Sequence, residues 1–184
     1  MKKRLKGFTL TEVMVSLVIL TIVVTISSTM IISSLNLLLK NAFIRDAQNN
    51  GNEIYQLLED KLRYAQQFKV IIQDDEDSPI SASYTETIEI DGEGMKINSK
   101  SIYDKKQLKN ADCCIRLMQK DTLRDIQLTV ELKRDNELIY SKSGNVTLEN
   151  ADVEGKNKMG EYVSNLETEK LIEGNIKISI GYYG

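Results

Sequence analysis

Histidine is absent from the 184 residues, which removes the usual neutral-pH general base and the commonest metal ligand. No hydroxyl nucleophile sits in a recognisable motif and no glycine-rich loop suggests a phosphate cradle. The reading is therefore a non-enzyme, with no cofactor and no metal expected. Cysteine occurs only as the neighbours Cys113 and Cys114. Adjacent cysteines cannot staple distant segments, and a ring between them is strained. No structural disulfide is expected, and the pair is read as two inert thiols or one link between chains rather than a vicinal redox pair. The one proline, Pro79, closes the acidic stretch Asp74-Asp75-Glu76-Asp77-Ser78-Pro79. That stretch lacks the alternating oxygen ligands and central glycine of a calcium loop and reads as a solvated turn. There are no internal repeats.

The longest absence is of charge. From Val13 to Leu39, 27 residues carry none, where about 20 suffice to span a bilayer. Four basic residues, Lys2, Lys3, Arg4 and Lys6, precede this run and hold the N-terminus in the cytoplasm. A secretory signal has a shorter apolar core, of about 7–15 residues, ending in a small-residue cleavage site. The single acid at the start of the run, Glu12, is the anomaly. An ionisable group within a span costs a few kcal/mol and by default marks a functional site with a partner.

The stretch Lys6-Gly7-Phe8-Thr9-Leu10-Thr11-Glu12, between basic leader and apolar helix, resembles the class III signal of type IV prepilins and pseudopilins. Beyond roughly residue 40 no family signature is visible. The resemblance implies that a membrane-embedded prepilin peptidase cuts after Gly7 and that Phe8 becomes the methylated N-terminus. It also implies that Glu12 meets the Phe8 amine of a neighbouring subunit in a filament. Such a pair acts as a register device, because a subunit docked out of step leaves a charge unpaired in apolar surroundings. Tip subunits in the family often lack the acid, so Glu12 implies a place below the tip. Implied partners are other pilin subunits, the prepilin peptidase, the cytoplasmic membrane and the pilus assembly platform. The implied location is a single-pass cytoplasmic membrane protein with an extracytoplasmic head, and a cell-surface filament after assembly.

Two departures from better-known pilins stand out. Where many members carry a glycine or proline that bends the helix, this chain has Thr21 and Thr29, so a straighter upper helix is expected. The start Phe8 to Val15 is more similar to minor than to major pilins. Within the run, Thr21, Thr25, Thr29 and Ser33 recur every fourth residue, on one helix face. Small hydroxyl residues let membrane helices approach and hydrogen-bond, or are tolerated because they bond their own helix; both readings stand.

From Lys40 to about Phe68 the pattern turns amphipathic, with Phe43, Ala47, Ile54, Leu58, Leu62 and Ala65 at helical spacing. Its weak point is Asn49-Asn50-Gly51-Asn52, since Gly costs about 1 kcal/mol relative to Ala in a helix. A kink is favoured there over a hinge or a clean break. Strand-like segments follow: Tyr84 to Ile90, Met95 to Ile97, Cys114 to Met118, Ile126 to Leu132, Glu137 to Ser141, Val146 to Leu148 and Ile176 to Ile180. Arg134-Asp135-Asn136 is expected to turn the fourth into the fifth as a hairpin. No helical pattern separates these strands, so antiparallel pairing is favoured, with one face packed under the amphipathic stripe. The expected fold is α+β: a long N-terminal membrane-spanning helix packed on an antiparallel β-sheet head, which is also the pilin fold. Expected divisions are 1–7 leader, 8–39 transmembrane and assembly half of the helix, 40–68 amphipathic half, and 69–184 β-rich globular head.

Net charge is −3, and loss of the four leader cations leaves 20 basic against 27 acidic residues, −7. Nothing pulls strongly toward nucleic acid or anionic lipid. Lys96, Lys100, Lys105, Lys106 and Lys109, with Tyr103 among them, form a local basic stretch. It is read as a solvated loop, with DNA phosphate contact as the weaker alternative. The functional expectation is a structural minor pilin of a type IV pilus or related filament. The alternative is a competence- or secretion-type pseudopilin, the competence form helping DNA uptake.

Overall fold

A computed structural model describes residues 9–72, 84–91, 94–120, 123–152, 154–160, 162–164, 166, 171–174 and 176–182. The acidic stretch ending at Pro79 lies outside them. The chain divides into two compact units, 1–43 and 44–184.

Helix α1 runs from Leu10 to Arg63. From Leu10 to Ala42 its side chains are exposed, and by length and composition it can cross a bilayer. In the second unit it turns amphipathic and buries Ala47, Gly51, Ile54, Tyr55, Leu58 and Leu62, at the spacing of one helix face. Helical assignment is unbroken through Asn49–Asn52, which rules out a clean break. The poor helix formers there are put to use. Asn50 Nδ2 donates to the Gln107 carbonyl at 2.9 Å, and the Tyr140 hydroxyl donates to Asn52 Oδ1 at 2.9 Å. Gly51 lies against the Tyr140 ring, where a Cβ would collide.

The helix ends at Arg63, more than one turn before the expected end of the amphipathic half at about Phe68. Residues Gln67–Ile72 are instead a strand, β1, which sends Phe68 and Val70 into the core. Eight further strands follow: β2 Tyr84–Asp91, β3 Gly94–Ile97, β4 Lys100–Asp104, β5 Asp112–Gln119, β6 Asp125–Arg134, β7 Glu137–Thr147, β8 Leu171–Gly174 and β9 Ile176–Tyr182. They form two antiparallel sheets rather than one, ordered β1-β9-β2-β3-β4 and β7-β6-β5-β8. Strands β1, β4 and β8 escaped the sequence reading, and the two segments expected at Glu137–Ser141 and Val146–Leu148 are continuous in β7.

Alternation sets the faces. Ile126, Leu128, Val130 and Leu132 of β6, Ile115 and Leu117 of β5, Ile88 and Ile90 of β2, and Ile178 and Ile180 of β9 join the helix stripe in one core. Two hairpins close on residue pairs with positive φ, Asn98-Ser99 (50° and 65°) between β3 and β4, and Asp135-Asn136 (52° and 65°) between β6 and β7. Successive left-handed residues are the requirement of a type I′ turn, whose twist matches the flanking strands. On β7, Gly144 receives the Tyr55 hydroxyl where a Cβ would stand, and Lys142 Nζ sits 4.3 Å from the centre of the Tyr55 ring.

Candidate functional site: the start of the helix

Leader cations Lys2, Lys3, Arg4 and Lys6, and the processing pair Gly7 and Phe8, lie outside the described residues. The assembly candidate Glu12 is described, and it is not idle. It occupies the third position of α1, after Thr9 and the first helical residue Leu10. The Thr9 backbone N–H and hydroxyl both donate to Glu12 Oε2 at 2.9 Å, and the Glu12 N–H reaches back to Thr9 Oγ1 at 3.4 Å. This is a reciprocal capping box, Thr-x-x-Glu, which satisfies backbone donors that a helix start leaves orphaned. The carboxylate also opposes the positive end of the helix dipole. Thr9 was therefore the residue that a reading focused on Glu12 passed over, and its signal was the Thr-x-x-Glu spacing.

The cap changes what Glu12 can do. Both hydrogen bonds from Thr9 converge on Oε2, and Oε1 has no hydrogen bond among the described residues. Among the described residues the group is thus held at the first turn through one of its two oxygens. Charge-assisted bonds of this kind are about twice as strong as neutral ones.

The hydroxyl ladder along the apolar run is turned inward. Ser16, Thr25, Ser27 and Ser28 donate to the carbonyl four residues back, and Thr21 and Thr29 to the carbonyl three back, at 2.7–2.8 Å. Self-bonding of this kind explains how so many hydroxyls are carried in an apolar segment. Their oxygens remain acceptors for a neighbouring helix.

The basic stretch is not one solvated loop. Lys96 lies on β3 and Lys100 on β4, while Lys105, Lys106 and Lys109 occupy the turn before β5. Lys96 pairs with Asp91 at 3.0 Å, Lys105 with Asp112 at 3.4 Å and Lys109 with Asp46 at 3.7 Å. The Tyr103 hydroxyl donates to Glu53 at 2.6 Å, and burial, then that bond, pushes its pKa up to about 12. An open groove lined by Asn49, Asn50, Glu53, Tyr103 and Lys106 results. Most of its polar groups are committed to one another.

Cys113 and Cys114 are both free thiols. As successive residues of β5 they point to opposite faces, Cys113 into the core and Cys114 to a half-buried site. Burial first, and the Cys114 neighbour second, push the Cys113 thiol up to about 12. A proton held that tightly leaves no thiolate for redox chemistry at neutral pH.

Neither curated proteins nor solved structures return a match to the chain. A family model does: that of the prokaryotic N-terminal methylation motif, over residues 2–28. Those residues hold the basic leader, Gly7-Phe8, the capped Glu12 and the first half of the apolar run. By that match the chain carries the type IV prepilin-type signature.

Proposed function

We propose that this protein is a minor pilin, a non-catalytic structural subunit of a type IV pilus or related filament. It is inserted with its leader in the cytoplasm and its head across the membrane, cut after Gly7, methylated at Phe8 and assembled through α1. The observation that carries the reading is the continuity of the methylation motif with an apolar run, residues 10–39, whose one carboxylate, Glu12, is held at the first turn of α1. In the filament the second oxygen of Glu12 accepts the Phe8 amine of a neighbour, and Thr9 keeps the carboxylate in place. Partners are the prepilin peptidase, the assembly platform and other pilin subunits. Pairing of Lys96, Lys105 and Lys109 with acids supports a structural subunit over a DNA-capturing pseudopilin, which needs free cations for phosphate.

The test is to follow processing and incorporation separately. N-terminal sequencing of the mature protein should begin at Phe8, and Gly7→Val should retain the leader. Glu12→Gln should insert and be cleaved as wild type yet be depleted from sheared surface filaments. Breaking a desolvated charge pair costs about 3–5 kcal/mol. Equal amounts of wild type and Glu12→Gln in filaments would sink the pairing. An intact Met1 in cells with active peptidase would refute the processing assignment.

A further inference from the structure

The end of α1 is held by a segment that belongs to neither sheet. Between β7 and β8, the described residues 148–152, 154–160, 162–164 and 166 lie beside the junction of α1 and β1. The Glu149 N–H donates to the Arg63 carbonyl at 2.9 Å, Asn150 Nδ2 to that of Tyr64 at 2.9 Å, and Asn157 Nδ2 to that of Gln66 at 3.3 Å. The Phe68 N–H donates in the other direction, to the Val163 carbonyl, at 2.6 Å. The last helical carbonyl, which a helix end leaves without an intrahelical partner, and the carbonyls of Tyr64 and Gln66 just past it are thus met by donors more than 80 residues away in sequence.

The segment is internally tied as well. Asp152 Oδ1 accepts from the Glu154 and Lys156 N–H groups at 2.9 Å, and the Val163 N–H donates to the Gly155 carbonyl at 2.9 Å. Leu148, Ala151, Val163 and Leu166 are its buried apolar anchors among the described residues. Among the described residues its bridges are the isolated pairs Phe68↔Ser164 and Lys156↔Tyr162, and both cysteines lie elsewhere, on β5. By contrast β6 is laddered along its length on both sides.

We infer that the described residues between 148 and 166 form a clasp over the end of α1, a unit that opens on its own while the two sheets stay folded. Asn150 and Asn157 are its pins. Protein regions joined by single hydrogen bonds and few apolar anchors open at lower free energy than laddered core strands, and do so in contiguous units. Asn157 is buried, so opening also exposes an amide whose nitrogen donates to the Gln66 carbonyl and whose oxygen accepts from the Met159 N–H. In the proposed filament, load arriving along α1 would be released at this junction before any strand separated. That consequence rests on the filament reading, whereas the clasp itself does not.

Amide hydrogen exchange on the full chain in detergent micelles tests the clasp without reference to assembly. In wild type, the amides of Phe68, Glu149, Gly155 and Val163 should exchange together and faster than those of Val130 and Leu128. Asn150→Ala with Asn157→Ala should accelerate the first group by roughly fivefold per hydrogen bond lost, with the second unchanged. Thr129→Val, which removes the bond to Ser143 on β7, should leave the first group unaffected. Exchange of the junction only together with β6 in wild type, or uniform acceleration in the double variant, would overturn the clasp.

Discussion

The ring of Tyr140 fills the space that a Cβ on Gly51 would take. The pair joins the middle of α1 to β7, and the hydroxyl of the same tyrosine is bonded to Asn52. Helix propensity alone favours Ala over Gly by about 1 kcal/mol. Here Gly51→Ala forces the ring off its site and strains the bond to Asn52, and overpacking of this kind costs about 1–3 kcal/mol. Denaturant unfolding should show Gly51→Ala less stable than wild type by about 1–2 kcal/mol. A gain in stability would mean that the ring moves aside freely.

Thr9→Ala removes the hydroxyl that bonds Glu12 and accepts from its N–H. Loss of an N-cap costs about 1 kcal/mol, and the first turn should fray. Thr9→Ser should restore most of the order. Exchange of the Glu12 and Val13 amides in micelles is the measurement, and identical rates in all three proteins would show the cap to be idle.

Where the head is cut should decide its solubility. A fragment starting at Arg45 keeps Ala47, Ile54, Leu58 and Leu62, all buried, and is expected to be soluble and cooperatively folded. A fragment starting at Lys69 loses them, exposes the inner faces of both sheets and should aggregate. Size-exclusion chromatography and thermal melts distinguish the two, and a monomeric, folded Lys69 fragment would contradict the role of α1 as cover.

The two thiols should differ in reactivity. In the native protein, iodoacetamide should modify Cys114 and spare Cys113 until the head unfolds. The Cys113 pKa is raised from 9.0 to about 12 in the fold, so the neutral thiol is the stabilised form. Its contribution is complete below about pH 9 and is lost as pH rises toward 12. Tyr103, raised from 10.0 to about 12, acts in the same direction, so the melting temperature should fall across that window. Mass spectrometry of the alkylated peptide and melts from pH 8 to 11 read the two effects, and equal labelling of both thiols would place Cys113 at the surface.

The strongly periodic elements were legible before any coordinates. The Ile126-to-Leu132 alternation became β6, and Ala47, Ile54, Leu58, Leu62 and Ala65 became the buried stripe. What escaped was set by partners rather than by pattern. Gln67 and Phe68 were read as the end of the amphipathic stripe, and pairing with β9 makes Gln67–Ile72 a strand. Lys100–Asp104 is polar and mostly exposed, since it is an edge strand. The split into two sheets is a matter of which strands find each other across long separations, such as β1 with β9 and β5 with β8. At the amino terminus the Glu12 anomaly was plain from its surroundings. Its link to Thr9 was written in the spacing and needed only the capping rule to be applied.

Strand β7 is the longest in the molecule and lies at the open edge of its sheet. The bare backbone groups of such an edge invite strand-to-strand zippering. Lys142 stands near the middle of that edge, its ammonium turned over the Tyr55 ring. A second strand laid along β7 must crowd or desolvate that cation, in the manner of inward-pointing charges that protect natural sheet edges. The ring contact that steadies the helix against the sheet thus also sets a charge along the open edge, a feature that disfavours edge-to-edge pairing.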